Sequence, residues 1–248
     1  MKEWGECKAL VTGGGRGLGR AFAEELARLG CRVHITRREP SGPGEHRWEL
    51  DDPSSTKALL AELRDERIDL VVHAAHAIAP HTPFVAQRPE ALEASLRRNV
   101  VAAFELIRGL ARPMMRQQFG RIVLIGSYAA LAGGVGQLAY IVEKMALEGM
   151  MRALAAELAP RGVTVNIVHP AIVDTEGVRE RVRPEVLEAY QKLAPSGRLL
   201  SPADVVLPSL SFLDPRHAGV TGQSLAITGG IDLGGARLAN VRPPEAGS

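Results

Sequence analysis

Regular strand–helix alternation over 248 residues predicts an α/β fold, a single doubly wound parallel sheet of about seven strands with helices on both faces. Three observations carry this. Short runs rich in Val, Ile and Leu recur along the chain, separated by stretches of helix length with amphipathic spacing. A glycine-rich turn joins the first such run to the first amphipathic stretch, the context a phosphate-binding loop needs. No linker or internal repeat interrupts the pattern, so residues 1–240 read as one domain and 241–248, Val-Arg-Pro-Pro-Glu-Ala-Gly-Ser, as a loose tail.

The first strand is expected over Cys7–Thr12, ending in Gly13-Gly14-Gly15-Arg16-Gly17-Leu18-Gly19. A helix with Phe22, Leu26 and Leu29 on one face follows and stops at Gly30. Cys31–Thr36 reads as the second strand and is followed by Arg37-Arg38. After a turn-rich loop, His46–Leu50 reads as a short third strand. Asp51 and Asp52 come next, and Ser54 is the expected N-cap of a helix near Thr56–Leu63. Ile68–Ala75 is a fourth, buried strand, leading into a loop from His76 to Pro83. Two helices follow, one with Leu92 and Leu96 and one over about 100–117, with Asn99 at their junction. Gly120–Ile125 is the fifth strand. A helix carrying Tyr140 runs to about Ala159, where Pro160 stops it. Val163–Val168 is the sixth strand, a helix is expected near Pro202–Leu213, and Gln223–Thr228 is the last strand. Between them, residues 174–200 are charged and broken by Pro184 and Pro195, which suits short helices able to close over a substrate.

Composition narrows the function classes. Hydrophobic residues make up 46% of the chain, enough for one large core, yet no apolar run approaches the ~20 residues of a membrane span. The amino-terminal run of five apolar residues leads straight into glycines, unlike a secretory signal, so a cytoplasmic location is expected. A net charge of +2 gives no reason to expect nucleic acid. Cys7 and Cys31 lack metal-ligand spacing, and no metal site is expected. They read as free thiols, although their places at the starts of neighbouring strands leave a disulfide open.

The chemistry concentrates in Ser127–Lys144, SYAALAGGVGQLAYIVEK. On a helix, Tyr140 and Lys144 are an i, i+4 pair and share a face. A phenol near its ordinary pKa of about 10 is a poor base at neutral pH. An ammonium nearby stabilises the phenolate and prepares it for proton exchange with a substrate oxygen, which Ser127 would bond from the other side. Taken alone, Tyr-x-x-x-Lys on a solvated helix face is a modest signal. The upstream loop strengthens it. Its glycines supply φ > 0 and let the backbone approach a pyrophosphate. The common G-x-G-x-x-G spacing fails at Leu18, whereas Thr12-Gly13-x-x-x-Gly17-x-Gly19 fits. After the second strand an acid would hold the ribose 2′-hydroxyl of NAD, while Arg37 and Arg38, with Arg16 from the loop, suit the 2′-phosphate of NADP.

With the glycine loop, Asn99, Ser127, Tyr140 and Lys144 in this order, the chain resembles the short-chain dehydrogenase/reductase family over residues 5–240, a Rossmann-type fold. The resemblance implies NADP(H), favoured over NAD(H), bound by Gly13, Gly15, Arg16, Gly17, Leu18, Gly19, Arg37, Arg38, Asp51, Ala74, Ala75, Tyr140, Lys144, Pro170, Ile172 and Thr175. It implies Tyr140 as general acid in carbonyl reduction and Lys144 as the group that lowers the tyrosine pKa and bonds the nicotinamide ribose. Ser127 would orient the carbonyl, and Asn99 would hold a water behind Lys144. Leu193-Ala-Pro-Ser-Gly-Arg-Leu and Val220-Thr-Gly-Gln-Ser-Leu are similar to the 3-oxoacyl-[acyl-carrier-protein] reductases. The implied substrate is therefore a ketone or acyl thioester, with acyl carrier protein as a partner. An oxidative alcohol, polyol or cyclic-alcohol dehydrogenase and a non-catalytic nucleotide-binding subunit stay open. The resemblance also implies a homotetramer, or a dimer, through the two long helices, and Ala146, Leu147, Gly149, Met150 and Ala153 cover more than one helix face, which one buried stripe would not require.

Three departures from the family pattern stand out. Asn-Asn-Ala-Gly after the fourth strand is His73-Ala74-Ala75-His76 here. Pro-Gly after the sixth strand is Pro170-Ala171, preceded by His169, and the segment between Arg38 and Ile68 is short. His76 stands where a glycine lets the backbone approach the cofactor. A lone histidine is more often a hydrogen-bonded structural group than a catalytic one.

Overall fold

Alternate residues of the central strands point to opposite faces, and both faces are apolar. Leu10, Val71, Ile122, Leu124, Val165 and Ile167 enter one buried cluster, while Ala9, Val11, Leu70, Val72, Val123 and Val168 enter another. Such a sheet is stable only with helices on both sides. The computed structural model describes residues 2–233, so the tail expected at 241–248 lies outside the described residues. The strands are β1 (Lys8–Thr12), β2 (Arg32–Arg37), β3 (Glu45–Arg47), β4 (Leu70–His73), β5 (Gly120–Ile125), β6 (Val163–Pro170) and β7 (Ser224–Ile227). Their order is β3-β2-β1-β4-β5-β6-β7, and every neighbouring pair is parallel.

The helices are α1 (Gly17–Arg28), α2 (Pro53–Glu62), α3 (Pro89–Leu96), α4 (Ala102–Gln117), α5 (Tyr128–Ala132), α6 (Leu138–Leu158), α7 (Glu176–Arg179), α8 (Pro184–Leu193) and α9 (Pro202–Leu213). Residues of α2, α4 and α6 fill the first cluster, and those of α1 and α9 fill the second. The chain winds outward from β1 in one direction and from β4 in the other. The carboxyl ends of β1 and β4 therefore lie side by side at the switch point, where open sheets of this kind bind ligands.

Several local expectations are corrected. The N-cap of α2 is Asp52, whose side chain accepts from the Ser54 N–H, so Ser54 lies inside the first turn. The third strand stops at Arg47 because Trp48 turns into the core and its indole N–H donates to Thr56 Oγ1 at 3.0 Å. Leu147, read as part of an outer face of α6, is buried in the core. α3 and α4 are joined through a π-helical turn, Arg97–Val101, and Asn99 sits in it. Such turns recur at functional sites. Helix α5, which no periodicity announced, begins at Tyr128 and is capped by Ser127. Cys7 and Cys31 are free and buried. Burial, reinforced by the Asp69 charge, pushes their thiols up to about 12 and about 11, which leaves them unreactive.

Candidate active site

The glycine loop after β1 is shaped by contacts that no side chain could survive. Gly13 and Gly17 have φ of +66° and +55°. A Cβ on Gly19 would lie 2.3 Å from the Gly13 carbonyl oxygen, a backbone atom that cannot move aside. Thr12 Oγ1 accepts from the N–H groups of Ala74 and Ala75 at 3.1 and 3.0 Å, which ties the loop after β4 to the glycine loop. Arg16 is the N-cap of α1, and no side chain accepts a hydrogen bond from the first turn of that helix. An open helix N-terminus beside a glycine cradle fits an anionic diphosphate. Thr175, delivered after β6, lies against Gly17, where an added Cβ would meet its side chain at 3.6 Å, while the Ile172 carbonyl accepts from the Leu200 N–H at 3.3 Å. These residues fit a nicotinamide dinucleotide.

The basic groups expected to read the ribose are placed unevenly. Arg37 lies against Gly15, where an added Cβ would meet it at 3.5 Å, but its guanidinium also pairs with Glu45 at 3.1 Å. Arg38 is exposed and has no ion partner among the described residues. Arg16 reaches Glu180 at 3.6 Å. Asp51 pairs with Arg98 on the surface. Residues 174–200 form the two short helices α7 and α8, tethered to α1 by the Arg20–Glu176 ion pair at 2.5 Å.

The structure brings Ser127, Tyr140 and Lys144 together at the carboxyl end of β5. Ser127 is the N-cap of α5, its Oγ accepting from the Ala129 N–H at 3.2 Å. Its hydroxyl lowers the pKa of the Tyr140 phenol. Lys144 is buried, and its Nζ donates to the Ile125 carbonyl at 2.9 Å while lying 5.7 Å from the Tyr140 ring centroid. Burial lowers Lys144 to about 8, against the opposing pull of the Glu143 charge. For Tyr140 burial is the largest influence. Burial raises the phenol above its ordinary value, and the compensating pull comes from Ser127 and Arg181. The amine is bound to a backbone carbonyl and faces the ring, and burial wins. Asn99 is buried, its amide bonded to both backbone groups of Ala77 at 2.9 and 3.0 Å.

Both departing histidines meet buried glutamates on α6. His76 Nε2 lies 2.8 Å from Glu143 Oε2, and its ring packs edge-on to Tyr140, with centroids 5.2 Å apart and planes at 87°. The other Glu143 oxygen accepts from Ser95 Oγ. His169, fully buried, sets Nε2 2.8 Å from Glu148 Oε2 and accepts the Ser127 N–H on Nδ1 at 3.1 Å. Its ring fills the space beside Gly126, where an added Cβ would lie 2.4 Å from Nδ1. The glycine before Ser127 and the histidine before Pro170 are therefore one packing unit. His73 is also buried and bonds Thr12 Oγ1 at 3.0 Å. Burial, with the Lys144 charge next, lowers His73 to about 3 and His76 to about 4, so both imidazoles are neutral at neutral pH.

Glu143, Glu148 and Arg181 escaped the reading of the sequence. A signal for the glutamates was present. Ala139, Glu143, Leu147, Met151 and Ala155 recur at i+4 on the buried stripe of α6, with Glu148 one step aside. An acid in such a stripe calls for a polar partner, and the two unexplained histidines were available. No comparable pattern marked Arg181.

A Rossmann-type sheet with a glycine cradle and a Ser–Tyr–Lys set at the carboxyl edge defines a nucleotide-dependent oxidoreductase. The family model described as "Enoyl-(Acyl carrier protein) reductase" matches residues 13–232. The chain belongs to the short-chain dehydrogenase/reductase family and is an NAD(P)-dependent oxidoreductase. It is 31% identical over 236 residues to the 3-oxoacyl-[acyl-carrier-protein] reductase FabG of Vibrio cholerae, covering 90% of this chain and 96% of that one. It is 32% identical over 237 residues to FabG of Escherichia coli, with the same coverage. Among solved structures, a putative NAD(P)-dependent gluconate 5-dehydrogenase from Beutenbergia cavernae with bound NADP superposes with a TM-score of 0.83 at 31% identity. The match covers 92% of this chain and 97% of that one. No helix among the described residues is long and apolar enough to cross a membrane.

Proposed function

We propose that this protein is an NADPH-dependent ketone reductase whose substrate is a 3-oxoacyl thioester or a related biosynthetic carbonyl. The single observation that carries the reading is the buried Lys144 Nζ held 5.7 Å from the Tyr140 ring centroid by the Ile125 carbonyl, two residues before Ser127 at the end of β5. A nicotinamide cofactor, when bound, supplies hydride chemistry. The chain's own part is to bind and orient the carbonyl through Ser127 and to donate a proton from the Tyr140 hydroxyl to its oxygen. A phenol held above its ordinary pKa is protonated at neutral pH, as an acid in reduction must be. Lys144 would bond the nicotinamide ribose, and Asn99 would hold the water behind it. The glycine loop with Ala74 and Ala75 would hold the diphosphate and adenosine side, Asp51 would contact adenine, and Pro170, Ile172 and Thr175 would hold the carboxamide.

FabG relatives support the thioester, and Arg38, with no ion partner among the described residues, supports the 2′-phosphate. The test is the fall in reduced-nicotinamide absorbance with a short 3-oxoacyl thioester. Turnover with NADPH well above NADH is expected, and in Arg37→Ala the KM for NADPH rises. Equal rates with both cofactors would overturn the NADP preference. The gluconate dehydrogenase neighbours favour a second reading, alcohol or polyol oxidation, which turnover of gluconate but not of the thioester would establish.

We also propose a homotetramer built through α4 and α6. Phe104 on α4, and Val142, Met145, Gly149 and Ala153 along one stripe of α6, are exposed. Water-facing apolar stripes on two long helices suit burial against a second copy. Light scattering should give about four times the 26.6 kDa chain mass, and a monomer would refute the assembly.

A further inference from the structure

Glu143 joins four parts of the fold. It sits on α6 between Tyr140 and Lys144, almost wholly buried at 1% exposure. One oxygen accepts from His76 of the loop after β4, and the other from Ser95 of α3. Asn99 of the π-helical turn also lowers its pKa. Burial alone would raise this carboxyl, but the hydrogen bonds from His76 and Ser95 more than offset it and keep it ionised. A buried carboxylate needs such a set of donors, since an unpaired one costs several kcal/mol. His76 in turn lies edge-on against the Tyr140 ring, so the loop that departs from the family pattern forms one wall of the phenol's site.

We propose that His76 and Glu143 are a positioning pair for the Tyr140–Lys144 couple: the imidazole fixes the phenol ring from one side, and the carboxylate anchors that imidazole while supplying the countercharge to the Lys144 ammonium. His76 takes the place of a glycine, and Glu143 sits directly before the lysine, so the departing loop and a buried acid of α6 form one device. The charged and titratable groups around it are Tyr140 and Lys144 on α6, His73 at the end of β4, and Arg181 after α7, which acts on both His76 and Tyr140. The His169–Glu148 pair lies beyond Ser127. Of these, Glu143 is the anion that acts on Lys144.

Replacing the carboxylate by an amide removes a charge that favours the ammonium and disfavours the phenolate. Both effects move proton loss to lower pH. The role of the pair in turnover rests on the reductase reading, so the first measurement needs no substrate. Five lysines are present in the chain, and carbon-13 labelling resolves their titrations by NMR, with Lys144 assigned from its absence in Lys144→Arg. In Glu143→Gln the Lys144 midpoint is expected to fall by about one pH unit, the low end for loss of a nearby opposite charge. Glu143→Asp, which keeps the charge, should stay near wild type. A midpoint in Glu143→Gln equal to that of wild type overturns the countercharge role, because a merely structural glutamate would lower thermal stability without moving it. His76→Gln tests the other half and still decides if Glu143→Gln fails to fold. It keeps a donor within reach of Glu143 but removes the ring from Tyr140. We expect kcat for reduction to fall about tenfold or more with KM unchanged. An unchanged kcat in the folded variant overturns the positioning of Tyr140.

Discussion

Tyr140→Phe should abolish reduction, lowering kcat/KM about 10³-fold, within the 10²–10⁴ that a positioned general acid contributes. The substitution removes one oxygen and leaves the ring that packs against His76. Lys144 keeps its bond to the Ile125 carbonyl, because that bond does not involve the phenol. NADPH binding, read by nucleotide fluorescence, should therefore persist while the absorbance assay goes flat. That combination also disposes of the idea of a non-catalytic nucleotide-binding subunit, since wild type would turn over and the variant would not. A variant retaining activity within tenfold of wild type would show that the proton comes from another group.

Lys144→Ala has the second large effect, and its signature lies in the pH profile. Burial brings the ammonium to about 8, so it is charged below that pH and neutral above it. If the charge serves reduction, wild-type kcat declines as pH rises through about 8. Lys144→Ala should be about 10²-fold slower at pH 7 and should lack that inflection, with a raised KM for NADPH because the expected ribose contact is gone. The same descending limb surviving in the variant would assign it to some other group. Burial raises Tyr140, and the Lys144 Nζ, 5.7 Å from the ring centroid, donates to the Ile125 carbonyl, so its charge is held behind the ring.

The doubly wound sheet was legible because it rests on local regularities. A buried parallel strand must be an apolar run, its crossover must be a helix, and a backbone that meets a diphosphate must be glycine. Gly13, Gly17 and Gly19 needed no tertiary information to be read as a loop. Tyr140 and Lys144 were legible because four residues make about one helical turn, and Ser127 because it ends an apolar strand.

What remained hidden depends on pairs distant in sequence. His76 and Glu143 are 67 residues apart, and His169 and Glu148 are 21 apart on different elements. Each member alone looks like an anomaly, an unexplained histidine or an acid in an apolar stripe. Only folding brings them within 2.8 Å and converts two desolvation costs into one satisfied pair. The direction of the Tyr140 shift was out of reach for the same reason. Sequence spacing put an ammonium near the phenol, but burial and the Ile125 carbonyl, both tertiary facts, decide where that charge points. The sequence by itself determined the sheet, the glycine loop and the grouping of Ser127, Tyr140 and Lys144. The tertiary structure decided their electrostatic state, because burial and long-range hydrogen bonds are set by the packing of the whole chain.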